Sequence, residues 1–140
     1  MISFFTFLLA LAGLADALYF TFAYYGRIKK ARWVPEILCA REGSSCVAVV
    51  QAPYARVFGL PNSLLGLVFY VAVAGWVLTG GIAGARWLAW ALVAANAVAV
   101  TLGFYLIYAL RRILHTDCPL CYTAHAINAA LLVLLVLSAR

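Results

Sequence analysis

The sequence carries four cysteines in two pairs, Cys39 and Cys46 as C-x6-C and Cys118 and Cys121 as C-x2-C. A cysteine attacks a disulfide as its thiolate, so reactivity follows from whatever stabilises that charge. Asp117 and Cys118 precede Pro119, a residue tolerated in a first helical turn because its missing amide hydrogen would be unpaired there anyway. A helix therefore begins at Cys118, and its unpaired amides and macrodipole favour a thiolate at that end. Two dithiols at one surface suit disulfide exchange. A loop pair can take electrons from a soluble partner and pass them to Cys118, while Cys121, one turn deeper, delivers them to an acceptor in the hydrocarbon.

The elements that must hold these thiols are membrane spans. Of the 140 residues, 68% are hydrophobic and 10% charged, with a mean hydropathy of +1.06, far from the roughly 45–50% and about 25% of soluble domains. Stretches 3–25, 63–81, 87–110 and 118–139 are each near the ~20 residues that a helix needs to cross a bilayer. The fold class expected is all-α: a single domain over residues 1–140, an integral membrane four-helix bundle with a cysteine-bearing loop between spans 1 and 2. The first stretch is longer than a signal-peptide core of about 7–15 residues and nothing basic precedes it, so it reads as a mature helix. Short connections at 82–86 and 111–117 force antiparallel neighbours. Four antiparallel spans put both termini on one side and both cysteine-bearing connections on the other.

Other polar residues follow the same geometry. His125 and Asn128 lie at i+4 and i+7 from Cys121, on one helical face, and polar groups inside a span default to a functional reading. Pro61-Asn62-Ser63 reads as a helix start with a capping side chain. Tyr54 to Leu60 is too short to span and suits a segment lying at the interface. Asp16 is the only acid within a span, and a polar contact between helices is its expected role. The tryptophans Trp33, Trp76, Trp87 and Trp90 suit interface anchors and packing. A net charge of +6 does not point to nucleic acid, because the basic residues flank the spans and form no separate basic domain. C-x2-C is also half of a common zinc site, but Cys39 and Cys46 are spaced wider than the usual second half, and no metal is expected. A non-catalytic tetraspan scaffold held by structural disulfides, or by such a zinc site, is the competing reading.

In order and spacing these motifs resemble the vitamin K epoxide reductase family, in its microbial form, over almost the whole chain. The resemblance runs from Gly13–Tyr19 through the loop pair and Phe58-Gly59-Leu60-Pro61-Asn62-Ser63 to Cys118-Pro119-Leu120-Cys121. It implies a membrane thiol oxidoreductase in which Cys39 and Cys46 shuttle electrons, Cys46 and Cys118 form an internal mixed disulfide, and Cys121 acts on a quinone, menaquinone-like or another isoprenoid quinone. Asn62 matches the family's hydrogen-bond donor to a quinone carbonyl, with Phe58 and His125 as further quinone contacts. Two positions depart from the family pattern. Ala52 stands where a serine is common, so a hydrogen bond made there is absent or supplied elsewhere, and His125 stands where vertebrate members have a tyrosine, so the resemblance does not by itself imply epoxide chemistry. Microbial members often carry a fused thioredoxin-like domain; this sequence stops at Arg140 just after its last span, so a separate thioredoxin-fold partner is expected.

Charge sets an expectation for orientation. Arg27, Lys29, Lys30, Arg32, Arg41, Arg56, Arg111 and Arg112 flank the cysteine face, against Arg86 and Arg140 opposite. The positive-inside rule then turns the cysteine face of this multi-pass protein to the cytoplasm.

Overall fold

A computed structural model describes residues 1–27, 46–57, 59–80 and 85–140, with backbone alone at 46–48. Cys39, Phe58 and the side chain of Cys46 lie outside the described residues. Within them the protein has five α-helices: α1 (Ile2–Tyr24), a short α2 (Cys46–Gln51), α3 (Asn62–Leu78), α4 (Arg86–Tyr108) and α5 (Pro119–Ala139). α1, α4 with its extension to Ile113, and α5 are long and apolar enough to cross a membrane. α3 has 17 residues, about 25 Å at helical rise, short of a hydrocarbon core of about 30 Å. The expected span 63–81 is thus a helix that stops at Leu78, where Thr79 Oγ1 bonds Gly75 O and Gly80 turns the chain at φ +63°.

The loop before α3 holds more structure than its composition suggests. After α2 come a 3-10 turn at Pro53–Ala55 and a tight antiparallel pair, β1 (Arg56–Val57) and β2 (Leu60–Pro61). The pair decides how α3 starts. Pro61 is extended within β2 and occupies the N-cap position, with no side-chain cap bond. Asn62 falls one residue too late to cap, contrary to the sequence expectation. At the same end of the bundle, α4 passes into a π-helical turn at Ala109–Ile113 that carries Arg111 and Arg112, so the connection to α5 is shorter than 111–117. α1 ends at Gly26, whose φ of +67° lets the Arg27 amide close on Phe22 O at 2.9 Å.

α1 packs against α3 and α5, and α5 against α4. The α1–α3 contact depends on a missing side chain: the Tyr70 ring fills the place a Cβ on Gly13 would take, the small-residue approach common between membrane helices. One core cluster joins Ala10, Ala17, Tyr70, Val73, Leu92, Leu131 and Leu135, and a second joins Tyr19, Phe20, Ala23, Val50, Leu110 and Cys118. Large apolar side chains such as Phe4, Val68, Trp87 and Phe104 point outward, as a lipid-facing surface requires. A cavity at one end of the bundle is bordered by Ile2, Ser3, Gly80, Arg86, Ser138 and Ala139. Both termini therefore share an end, opposite the cysteines.

Candidate functional site

The site is organised by the first turns of α5. Cys118 is the N-cap, and its Sγ accepts the Cys121 amide hydrogen at 3.3 Å. Cys118 and Cys121 are joined as a disulfide across a Cα–Cα distance of 5.3 Å. The two sulfurs differ in access. Cys118 is 0% exposed and sits in the cluster with Val50, whereas Cys121 lines a cavity of about 830 Å³, counting its open mouth. The part of it open to the centre of a water molecule is about 120 Å³.

The cavity runs down the face of α5 that helical spacing predicts, from Cys121 past Ala124 and His125 to Asn128. α1 contributes Asp16, Ala17 and Phe20, and α3 contributes Asn62, Ser63 and Tyr70. The segment carrying α2 and the 3-10 turn covers the mouth with Val49, Val50, Tyr54 and Ala55. Asn62 and His125, both expected at the site, are thus brought to the same space as Cys121. Cys46 begins α2, the helix that roofs the cavity.

Two kinds of polar group line this space. Some are paired: the Tyr70 hydroxyl donates to Asn128 Oδ1 at 2.7 Å and the Ser63 and Thr21 hydroxyls are hydrogen-bonded at 3.2 Å, while behind the wall the Asn96 amide donates to Asn128 O at 3.1 Å and leaves its own Oδ1 unpaired. Others are sealed and unpaired among the described residues, namely Asp16 Oδ1 and His125 Nδ1. The His125 ring lies on the bare backbone of Gly103, where a Cβ would come within 2.6 Å of Nδ1. Buried polar atoms are rarely left unsatisfied without a reason. Two such atoms in one apolar chamber leave hydrogen-bonding capacity for a ligand.

The polypeptide before Cys118 is fixed from outside. Tyr122 OH donates to Asp117 Oδ1 at 3.1 Å and accepts from Arg111 Nε at 3.3 Å, with the guanidinium 5.3 Å from the ring centroid. This ties the π-helical end of α4 to the first turn of α5 and so positions the disulfide.

A family model for the vitamin K epoxide reductase family matches residues 4–136. The chain belongs to the vitamin K epoxide reductase family. Vitamin K epoxide reductase complex subunit 1 of Rattus norvegicus is 31% identical over 140 residues, which covers 90% of this chain and 83% of that protein. The Mus musculus protein of the same name matches at the same identity and coverage. Membership makes the protein a membrane thiol oxidoreductase. For a vitamin K epoxide reductase family member, the sequence reading omitted Tyr70 and Asn96 and gave Asp16 no place at the site. Asn96 carried a usable signal, an amide in the middle of an apolar stretch. Tyr70 carried none, because only the packing on Gly13 turns its hydroxyl toward Asn128.

Proposed function

We propose that the protein oxidises the dithiol of a separate thioredoxin-fold partner and passes the electron pair through Cys39/Cys46 and Cys118/Cys121 to an isoprenoid quinone, supporting disulfide formation in other proteins. The observation that carries this reading is one chamber in which a disulfide sulfur, Cys121, opens beside two unpaired buried polar atoms on predominantly apolar walls. A ring with oxygens on an apolar body fits such a chamber. When bound, a quinone supplies a two-electron, two-proton acceptor soluble in hydrocarbon. Asn62 and His125 would hold it, each able to donate a hydrogen bond to an oxygen, with Phe58 as an apolar contact.

The thiol steps follow from the cysteines themselves. The Cys46 thiolate attacks Cys118 Sγ; the Cys118–Cys121 bond breaks, its electron pair passes to Cys121, and a Cys46–Cys118 bond forms. The Cys39 thiolate then attacks Cys46, closes the Cys39–Cys46 disulfide and releases Cys118 as a thiolate. Both thiolates of the C-x2-C pair emerge at the amino end of α5, and the Cys121 amide already points at Cys118 Sγ. The partner's dithiol reduces the Cys39–Cys46 bond by the same exchange. His125 and Asn62 orient the acceptor beside Cys121, while Val49, Val50 and Tyr54 keep water from the mouth.

The test is anaerobic reduction of menaquinone in detergent by a thioredoxin-fold dithiol, followed by absorbance. Cys121→Ala abolishes it; Cys39→Ala loses it with the protein donor and keeps it with a small dithiol. No reduction of any quinone by folded protein overturns the reading. In the membrane, α3 completes a four-span bundle, and the basic residues of the cysteine face hold that face in the cytoplasm. A reporter fused after Arg140 that is active only in the cytoplasm overturns this orientation, because the termini and the cysteines occupy opposite ends.

A further inference from the structure

We propose that Asp16 is a ligand-binding residue, its carboxyl group hydrogen-bonding the oxygen of the acceptor that lies farther from Cys121. The proposal rests on the quinone reading of the cavity. It begins with depth. Asp16 lies eight residues before the end of α1, and Tyr70 lies eight residues into α3, each about 12 Å inside its helix at 1.5 Å per residue. Asn128 lies nine residues into α5, at nearly the same level, and the 2.7 Å bond from Tyr70 spans the gap between them. Three helices thus place a polar side chain on the cavity floor. Tyr70 and Asn128 satisfy each other there, and Asp16 Oδ1 has no partner among the described residues.

A structural role for Asp16 would need a partner. Among the described residues no lysine or arginine lines the cavity, and no side chain gives Oδ1 a hydrogen bond. A polar atom left this way in hydrocarbon is costly, and a contact between helices would be served as well by a threonine bonded to its own backbone, as Thr21 is to Ala17 O. The carboxyl faces a space whose other polar end, Cys121 and Asn62, is near the mouth, with His125 between. A ring with oxygens on opposite sides then meets hydrogen-bonding groups at both ends. A carboxylic acid both donates through its hydroxyl and accepts through its carbonyl, so it pairs with the carbonyl of the oxidised ring and with the hydroxyl of the reduced one. Asparagine offers the same two functions, and leucine neither.

The experiment measures binding without turnover: full-length protein in detergent, Cys118–Cys121 oxidised, no thiol donor, titrated with a short-tailed menaquinone. Asp16→Leu is expected to weaken affinity about tenfold, the worth of one net hydrogen bond, and Asp16→Asn by no more than about threefold. Circular dichroism checks that each variant is folded, with Asp16→Ala read in place of a leucine variant that is not. Unchanged affinity in the leucine variant, or equal weakening in leucine and asparagine variants, overturns the assignment while leaving the quinone site standing. Absence of binding by the unsubstituted protein overturns the quinone site itself, and the assignment with it.

Discussion

Gly103→Ala should displace the His125 imidazole and nothing else of consequence. A Cβ at position 103 would lie 2.6 Å from His125 Nδ1, 3.2 Å from Cγ and 3.3 Å from Cε1. Carbon contacts settle near 3.5–4.0 Å, so the near edge of the ring must retreat by about 0.9 Å in a packed interior. Overpacking of this kind costs about 1–3 kcal/mol. The cost falls mainly on one pair, because the three nearest atoms all belong to His125. In a His125→Ala background the added methyl enters vacated space, and the penalty should vanish. The double-mutant cycle therefore has a coupling energy of about 1–3 kcal/mol, read from unfolding of the four proteins in mixed micelles, with menaquinone affinity measured in parallel. Equal destabilisation by Gly103→Ala in both backgrounds would refute the reasoning, since it would mean that the α4–α5 backbone approach, and not the imidazole, resists the methyl.

Tyr70→Phe removes a 2.7 Å bond to Asn128 Oδ1; unfolding in micelles should show a loss near the ~0.6 kcal/mol average for such bonds and below about 1.7 kcal/mol. On the proposed relay, the double variant Cys39→Ala/Cys121→Ala leaves Cys46 and Cys118 with no resolving thiol, so after oxidation with diamide peptide mapping under non-reducing conditions should find a Cys46–Cys118 disulfide that Cys118→Ala lacks. After reduction, a lipophilic maleimide should modify Cys121 ahead of Cys118, because Cys118 is 0% exposed while Cys121 borders the cavity; mass spectrometry of timed samples checks this, and equal rates would contradict the burial argument.

Much of the site was legible because it is local. Cys118, Pro119, Cys121, His125 and Asn128 lie within one helix, and helical periodicity alone puts the last three on one face. The apolar runs likewise located the long helices to within a few residues. What escaped the sequence depends on how helices meet. The hydroxyl of Tyr70 reaches Asn128 because Gly13 has no side chain, and no spacing within α3 announces a cleft in α1. Asn62 was misread as a cap for a similar reason. The strand pair at Arg56–Val57 and Leu60–Pro61 carries the extended backbone through Pro61, and pairing across a tight turn is weakly encoded in two-residue strands. Asp16 was visible as an acid in hydrocarbon, but only the packing shows that the groups around it are already satisfied.

The difference in access between two sulfurs three residues apart bears on the direction of the chemistry. Cys118, as N-cap, lies in a cluster with Ala23 of α1, Leu110 of the π-helical turn and Val50 of α2. A soluble thiol cannot approach it without displacing α2. A cysteine carried on α2 can, and α2 begins at Cys46. On the proposed relay, this burial favours an intramolecular donor for Cys118, whose effective concentration exceeds that of an external thiol. Cys121 is half-buried and opens on a predominantly apolar chamber. On the proposed relay, the chamber and the loop exchange electrons through the bond that joins the two sulfurs.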